Sequence, residues 1–375
     1  MSTAAPATGV AIEAVLAGRL VEPVFQPIVE LRTRAVVGLE ALARGPAGSA
    51  VHAPDRLFAA ARAAGRLGEL DMLCAERALE CAVAAQAPPP LLFINAEPAV
   101  LDQPISPRLR ELVLSGLPFR EVLEFTERSL PAVPGHMLRL SAVVEQWGNG
   151  IALDDVGVDP MSLAFMPVLE PEVIKLDMSL LRDPHAEHTR IVCAVVAAEA
   201  RRTGAVVVAE GVETEADLHT ALELGATWGQ GWFFGRPGHI DALGVRYDPS
   251  GAQALRPPRP GFHCPEGTPF EVAAAHGPAR DAHPEAVAHA IAGLRGTSTG
   301  VVLASCPDAV ALPHFAGPGR SVILLDEPLP GEVAVATIGP GHARAVCVRG
   351  GALVVLDERP AVADVVRALL SRVGQ

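Results

Sequence analysis

Short apolar runs recur along the first two thirds of the chain and alternate with longer segments in which apolar residues follow helical spacing. A short apolar run is typical of a buried strand, and an apolar period near 3.6 is typical of a helix. The runs predict eight strands, at Pro23–Val29, Ala35–Ala41, Leu91–Asn95, Val122–Phe125, Ile151–Asp154, Val173–Leu176, Val206–Ala209 and Thr227–Phe233. The helical segments include Asp55–Glu80, Met137–Trp147 and His188–Thr203.

Strands that alternate with helices in this number predict a (β/α)8 barrel. The first two runs are separated only by Glu30–Arg34, which is too short for the crossover that a parallel pair needs. We therefore expect a TIM-like barrel whose first strand is antiparallel, at residues 8–245.

A proline-rich stretch at residues 246–260 predicts a linker, and a smaller mixed α/β domain is expected at residues 261–375. Its predicted helices are Pro284–Leu294 and Ala361–Val373, and its predicted strands are Val301–Ala304, Val322–Leu325, Val333–Thr337, Ala345–Val348 and Leu353–Leu356. We expect this domain to be sensory or regulatory; the alternative is a structural appendage that covers part of the barrel.

Composition narrows the class of protein. Half of the residues are hydrophobic, the net charge is −13, and no Lys/Arg run offers the basic patch that a nucleic acid polymer requires. No apolar stretch approaches the roughly 18 residues of a membrane helix, and the N-terminal residues lack the features of a signal peptide. We expect a cytoplasmic protein.

The cysteines form no C-x-x-C pair, so neither a zinc site nor a disulfide framework is predicted.

Polar side chains stand at or near the ends of the predicted strands. They are Glu40, Asn95, Glu124, Glu127, Asp154, Asp155, Lys175, Asp177, Glu210 and Gln230. The carboxyl ends of barrel strands meet at one mouth, where active sites lie. Oxygen ligands without Cys or His favour Mg²⁺ or Mn²⁺, and adjacent aspartates suit two ions and attack on a phosphodiester. The pattern alone also fits other metal-dependent barrel enzymes.

Seven motifs surround these residues in a fixed order. They are GLEALAR around Glu40, FIN ending at Asn95, LEFTER at 123–128, LDDVG at 153–157, IKLD at 174–177, AEGVET at 209–214 and QGWFFGRP at 230–237. In this order and spacing they resemble the EAL family of cyclic di-GMP phosphodiesterases, over about residues 10–240. The resemblance implies hydrolysis of cyclic di-GMP to linear pGpG with two Mg²⁺ or Mn²⁺ ions.

The resemblance also implies roles for single residues. The metal ligands would be Glu40, Asn95, Glu124 and Asp154 for one ion, and Asp154, Asp155 and Glu210 for the other. Lys175 would hold the attacking water, and Glu40 and Glu210 would complete the catalytic set. Gln26, Arg44, Asp177 and Gln230 would contact the substrate, and Glu127 and Glu213 would have supporting roles. A homodimer through the barrel is expected.

The loop after the paired aspartates departs from the family pattern. The family commonly has DDFGTGYSSL, and this chain has DDVGVDPMSL at 154–163, with a glycine lost and a proline gained. In the family this loop couples the metal site to a dimer interface. Two alternatives therefore stay open: a cyclic di-GMP receptor without turnover, and an interaction protein that uses the barrel as a scaffold.

The C-terminal region resembles the DICT class of sensory domains, through TPFEVAA at 268–274 and the strands that follow it. Three of its histidines, His263, His276 and His283, are irregularly spaced and have no matching carboxylate pattern. We expect them to be surface or capping residues rather than metal ligands.

Overall fold

The computed structural model describes residues 11–97, 104–126, 134–158, 162–296, 300–305, 320–324, 329–339 and 342–372. In the first two thirds of the chain, eight strands form a closed barrel in sequence order. They are β1 (Glu22–Glu30), β2 (Val36–Arg44), β3 (Leu91–Asn95), β4 (Arg120–Thr126), β5 (Gly150–Val156), β6 (Val173–Leu176), β7 (Val206–Ala209) and β8 (Trp228–Gln230). Strand β1 is antiparallel to both neighbours, and the other pairs are parallel. The predicted TIM-like barrel with an antiparallel first strand is confirmed.

Helices surround this barrel. They are α1 (Ile12–Ala17), α2 (Pro54–Ala63), α3 (Leu67–Ala84), α4 (Pro107–Leu114), α5 (Pro134–Gln146), α6 (Ser162–Leu169), α7 (Met178–Arg182), α8 (Glu187–Thr203) and α9 (Glu215–Glu223). The predicted helical segment Asp55–Glu80 consists of two helices, α2 and α3. Gly65 has a φ of +68° and ends α2, because a left-handed residue stops helical hydrogen bonding. Strand β8 is shorter than predicted, because the chain turns at Gly231, whose carbonyl accepts a hydrogen bond from the Phe234 N–H.

The interior of the barrel is packed with apolar side chains from alternating strand positions, among them Ile28, Phe93 and Val122. Leu255 belongs to the same apolar cluster. It follows the short helix α10 (Gly251–Ala254), whose first residue lies against the backbone of Val37. The stretch predicted as a linker, residues 246–260, therefore packs on the barrel; the proposed domain boundaries stay a prediction.

A buried acid pairs with an amide between β4 and β5. The Asn149 Nδ2 atom donates to Glu121 Oε2 at 2.9 Å, and its Oδ1 atom accepts from the Glu121 N–H at 3.3 Å. Burial raises the pKa of Glu121 to about 7. Since this pKa exceeds that of the unfolded chain, the carboxyl stabilises the fold below the unfolded pKa, and that contribution is lost as the pH rises through about 7.

We expect this loss to disappear in the Glu121→Gln variant, because glutamine keeps the acceptor oxygen but does not titrate. The free energy of unfolding of the wild type, minus that of the variant, should fall by about 2–3 kcal/mol between pH 4.5 and pH 8. Urea unfolding at both pH values measures this difference. Identical pH profiles in the two proteins would contradict the assignment.

A second sheet lies in the C-terminal lobe, which we define as residues 261–372. Its strands are β9 (Arg280–Asp281), β10 (Gly300–Ser305), β11 (Arg320–Leu324), β12 (Glu332–Gly339), β13 (His342–Arg349) and β14 (Ala352–Leu356), in the order β11-β10-β12-β13-β14-β9. Only β10 and β11 are parallel among these pairs. The lobe's helices are α11 (Pro269–His276), α12 (Pro284–Ala292) and α13 (Arg359–Leu370). The five predicted strands are confirmed, apart from Leu325, which lies outside the described residues, and β9 is an additional strand.

The barrel and the C-terminal lobe share one apolar core. Helix α6 packs against α8 on the barrel and against α13, β10 and β12 of the lobe. Accordingly, Met166 of α6 and Val366 of α13 belong to a single cluster of buried residues. No helix within the described ranges is long and apolar enough to cross a membrane. The five cysteines that fall within those ranges are all free.

Candidate active site

The mouth of the barrel gathers polar side chains around Lys175. Its ammonium lies on β6 and is completely buried. The Nζ atom is 3.4 Å from Glu40, 3.0 Å from Glu124, 3.1 Å from Asp154 and 2.8 Å from Glu210. These four carboxylates come from β2, β4, β5 and the residue after β7. The structure thus brings residues far apart in sequence into one cluster, as the strand-end pattern predicts.

Lys175 is the only lysine among the 30 Lys and Arg residues of the chain. A guanidinium is wide, planar and always charged, whereas an ammonium is a compact point charge that can approach several oxygens at once. The position at the centre of four carboxylates is one where arginine would not fit without displacing its neighbours. The single lysine of this arginine-rich chain thus occupies the position that favours a compact cation.

Amide side chains orient Glu40. Asn95 Nδ2 donates to Glu40 Oε1 at 3.0 Å, and Gln230 Nε2 donates to Glu40 Oε2 at 2.6 Å. Gln230 Nε2 also lies 3.1 Å from Gln26 Oε1, and Gln26 Nε2 donates to the Gly235 carbonyl at 3.1 Å. The chain of hydrogen bonds ties β1, β2, β3 and β8 together. It holds the Glu40 carboxylate in one orientation inside the mouth.

The cluster carries more negative than positive charge. Burial, and then the Glu40 carboxylate, raise the pKa of Glu124 well above its usual range. Burial and Asp154 raise the pKa of Glu210 to about 8. The pKa of Glu40 lies below its usual value. Burial of the carboxyl raises this pKa, but the Lys175 ammonium and the amide donors together lower it by more. Burial lowers the pKa of Lys175, but the surrounding carboxylates raise it by more, so the pKa lies well above its usual value. One ammonium does not neutralise this set, so further positive charge would stabilise it.

The donor set fits divalent cations. Asp154, Asp155 and Glu210 each place an oxygen within 4.8 Å of the other two. The two carboxylate oxygens of Glu124 are buried, and one of them, Oε1, lies 3.0 Å from the Lys175 ammonium. Hard oxygen ligands of this kind suit Mg²⁺ or Mn²⁺. Asp155 has a φ of +57°, an unusual value for a non-glycine residue, which turns its side chain away from the regular strand direction.

An open pocket adjoins the cluster. Its walls include Leu42, Arg44, Asn95 and Phe58, so Arg44 and Asn95 face the same opening. Asp71 of α3 also lines it; burial raises the pKa of its carboxyl to about 8, and the carboxyl accepts a hydrogen bond from the Glu97 N–H at 2.9 Å. We did not predict Asp71 from the sequence. The feature of the sequence that could have indicated it is an acidic residue among the apolar positions of the segment LDMLCAERALE.

Three other predicted residues lie apart from the ring around Lys175 or beyond the described ranges. Asp177 caps helix α7, where its side chain accepts from the Ser179 N–H at 2.9 Å. Glu213 is partly exposed, and its carboxylate lies 3.3 Å from Arg182. Glu127 lies outside the residues that the structure describes. The roles expected for these three stay predictions.

Comparisons with known proteins agree with this geometry. The probable cyclic di-GMP phosphodiesterase PdeB of Escherichia coli is 30% identical over 219 residues, which is 56% of this chain and 42% of that protein. Klebsiella pneumoniae BlrP1, solved as a complex with calcium and cyclic di-GMP, is 29% identical with a TM-score of 0.52, over 59% of this chain and 56% of that chain. This chain spans less than half the length of three curated relatives that it matches.

A third comparison concerns the fold alone. The EAL domain of Pseudomonas aeruginosa FimX, bound to cyclic di-GMP, is 20% identical with a TM-score of 0.55, over 63% of this chain and 98% of that chain. The family model described as EAL domain matches residues 11–237, which contain all eight barrel strands and the cluster around Lys175. The chain therefore belongs to the EAL domain family.

Proposed function

We propose that the barrel hydrolyses one phosphodiester bond of cyclic di-GMP and releases linear pGpG, using two Mg²⁺ or Mn²⁺ ions. The observation that carries the proposal is the set of four carboxylates gathered around the buried Lys175 ammonium, between 2.8 and 3.4 Å away. A barrel that served only as a scaffold would have no reason to gather so many carboxyl groups at one buried point of its interior. Relatives named as cyclic di-GMP phosphodiesterases support the choice of substrate.

Each part of the site has a role in this proposal. Glu40, Asn95, Glu124 and Asp154 would hold one ion, and Asp154, Asp155 and Glu210 the other. Ions bound there would supply Lewis acidity and neutralise charge at the phosphate. The Lys175 ammonium, kept protonated by its neighbours, would donate a hydrogen bond to the attacking water and orient it. Glu40 and Glu210 would fix the position of that ammonium from opposite strands of the barrel.

The pocket beside the cluster would receive the nucleotide. Arg44 is only partly buried there, and its guanidinium can bind phosphate oxygens through two parallel hydrogen bonds. Gln26 and Gln230 are held by each other and by Glu40, so they would meet the substrate in fixed orientations. Asp177, at the start of α7, would contact the substrate from the same end of β6 as Lys175.

A receptor that binds cyclic di-GMP without cleaving it is the second candidate. The observation that favours it is the altered segment DDVGVDP after β5, with valine, aspartate and proline in place of the family's usual residues. Purified full-length chain should be incubated with cyclic di-GMP and Mn²⁺, and the products separated by chromatography. Formation of pGpG supports the enzyme; tight binding without pGpG supports the receptor. Absence of both binding and product would leave only the scaffold alternative.

We further propose that the C-terminal lobe controls the barrel and that the protein acts in the cytoplasm, where a nucleotide second messenger is turned over. The support for control is the packing of α13, β10 and β12 of the lobe on helix α6, which begins a few residues after Asp155. The resemblance of the lobe to DICT sensory domains and the homodimer through the barrel stay predictions.

A further inference from the structure

The carboxyl end of helix α6 is held by side chains from a distant part of the chain. The last carbonyls of any helix lack partners within the helix. Here Arg367 Nε donates to the Val168 carbonyl and its Nη2 to the Pro167 carbonyl, both at 2.8 Å. His263 Nε2 donates to the Leu169 carbonyl at 2.6 Å, since a carbonyl can only accept.

Arg256 continues this series at the two residues that follow the helix. Its Nη1 atom donates to the Pro171 carbonyl at 3.0 Å, and its Nη2 atom to the Glu170 carbonyl. Five successive carbonyls, from residue 167 to residue 171, thus accept hydrogen bonds from side chains. Every one of these donors lies beyond residue 237, where the EAL family model ends. The end of this helix is therefore completed by residues that the family match does not include.

Arg367 makes the most demanding of these contacts. Its side chain is 1% exposed, and its guanidinium also pairs with Asp364 at 2.5 Å and stands 3.8 Å from the centre of the Phe262 ring. Glu170 lies 3.5 Å away. A planar guanidinium satisfies two carbonyls, a carboxylate and an aromatic face at once, and a lysine ammonium does not. The position of α13 therefore determines where the end of α6 lies.

Helix α6 is well suited to transmit a displacement. It is eight residues long, contains Pro167, and buries Phe165 and Met166 completely. So short a helix depends on its packing and end contacts rather than on its own hydrogen bonds. Close-packed elements shift as units, because the interior has little free volume. A change at the carboxyl end of α6 would consequently be felt at its amino end.

The amino end of α6 leads back to the metal cluster. The chain before it runs through Gly157, which has a φ of +118° and whose carbonyl bonds to His188 Nε2 at 2.6 Å, to Asp155, whose φ is +57°. A non-glycine residue stays in this region only where the surrounding structure holds it. The orientation of the Asp155 carboxylate thus depends on the contacts that hold the end of β5, among them the Gly157–His188 hydrogen bond, and on the position of α6, which begins seven residues further on.

We infer that Arg367 is a positioning residue for the Asp154–Asp155–Glu210 cation site and acts on Asp155 through helix α6. This rests on the proposed function only in so far as that site takes a divalent cation. The position of α13 in the lobe would then determine the cation affinity of this site, and through it the activity of the barrel. A ligand or partner that displaced α13 would weaken the site without touching it.

Mn²⁺ binding to the purified full-length chain tests this inference without any measurement of activity. Titration of Mn²⁺ followed by electron paramagnetic resonance should show one of two sites weakened by about 2- to 30-fold in Arg367→Met, the range for residues that act at a distance from a site. Arg367→Lys keeps the buried charge and should fall between Arg367→Met and the wild type. Arg344→Gln, which breaks an exposed ion pair with Asp357 in the same lobe, is the control and should bind like the wild type.

A double-variant cycle identifies the residue through which Arg367 acts. Asp155→Asn removes one ligand directly, and adding Arg367→Met to it should cause little further loss of Mn²⁺ affinity. Full additivity would overturn the inference, as would unchanged Mn²⁺ affinity in a folded Arg367→Met or Arg367→Lys protein. If the wild type binds Mn²⁺ but does not cleave cyclic di-GMP, the proposed function fails and the positioning role is still decided. If it does cleave, saturating Mn²⁺ should restore kcat in Arg367→Met.

Discussion

Glu40→Gln is expected to reduce the rate of pGpG formation by at least about 100-fold at a fixed Mn²⁺ concentration, because loss of a direct ligand should exceed the 10–100-fold effect of outer contacts. Glutamine has the same shape as glutamate, and its amide oxygen can still accept from Asn95 or Gln230. The variant therefore removes one negative charge with little change in packing. Chromatography of the products measures the rate.

Two comparisons separate this loss from misfolding. Circular dichroism and urea unfolding should show that Glu40→Gln is folded, because Lys175 keeps Glu124, Asp154 and Glu210 as partners. Glu215→Gln removes a carboxylate from an exposed ion pair with Arg34 and should retain wild-type activity. A Glu40→Gln protein with full activity would remove Glu40 from the metal site.

Lys175→Met should make the fold depend on divalent cations. In EDTA we expect the free energy of unfolding to fall by about 3–5 kcal/mol, the usual cost of leaving buried charges without their partner. The four carboxylates around Nζ would then repel one another in a buried site. Mn²⁺ binds the folded state and should recover part of the loss, so its stabilising effect should be larger in the variant than in the wild type.

Urea unfolding with EDTA and with Mn²⁺ measures both quantities. Arg34→Met is the matched control, because it removes an exposed cation that pairs with Glu215 and should cost no more than about 1 kcal/mol. Lys175→Met should also lose pGpG formation, even at saturating Mn²⁺, since methionine cannot orient water. An equal free energy of unfolding for Lys175→Met and the wild type in EDTA would contradict this prediction. It would show that, without the ammonium, the carboxylates become protonated or move apart.

The barrel could be predicted from the sequence because the patterns that indicate its strands are local. A buried parallel strand needs only a short apolar run, as at Leu91–Asn95 and Val173–Leu176, and both were predicted to the residue. The antiparallel first pair followed from the length of a single connection, Glu30–Arg34. The break between α2 and α3 within the predicted helical segment Asp55–Glu80 was not predicted, since apolar periodicity continues across Gly65 and does not reveal its left-handed backbone.

Other features could not be read from one segment at a time. Asp71 belongs to a helix whose apolar face suggests only core packing, and its place on the pocket wall depends on how α3 meets β2 and β3. His263 has no visible motif, yet it is fully buried and bonds to the end of α6. Of the two alternatives expected for it, a surface or a capping residue, the structure shows a capping residue that is buried.

The sequence by itself determined the order of strands and helices, and it determined that oxygen ligands and one lysine stand at the carboxyl ends of the strands. Those properties depend on spacing along the chain, which sets which residues share a face or an edge. Only the tertiary structure decided that the Lys175 ammonium lies among four carboxylates and that Arg367 completes a helix of the barrel. Such contacts form only when the sheet closes into a barrel and the lobe packs against it. Buried charged groups pair with groups that are near them in space, and these can be far away along the sequence.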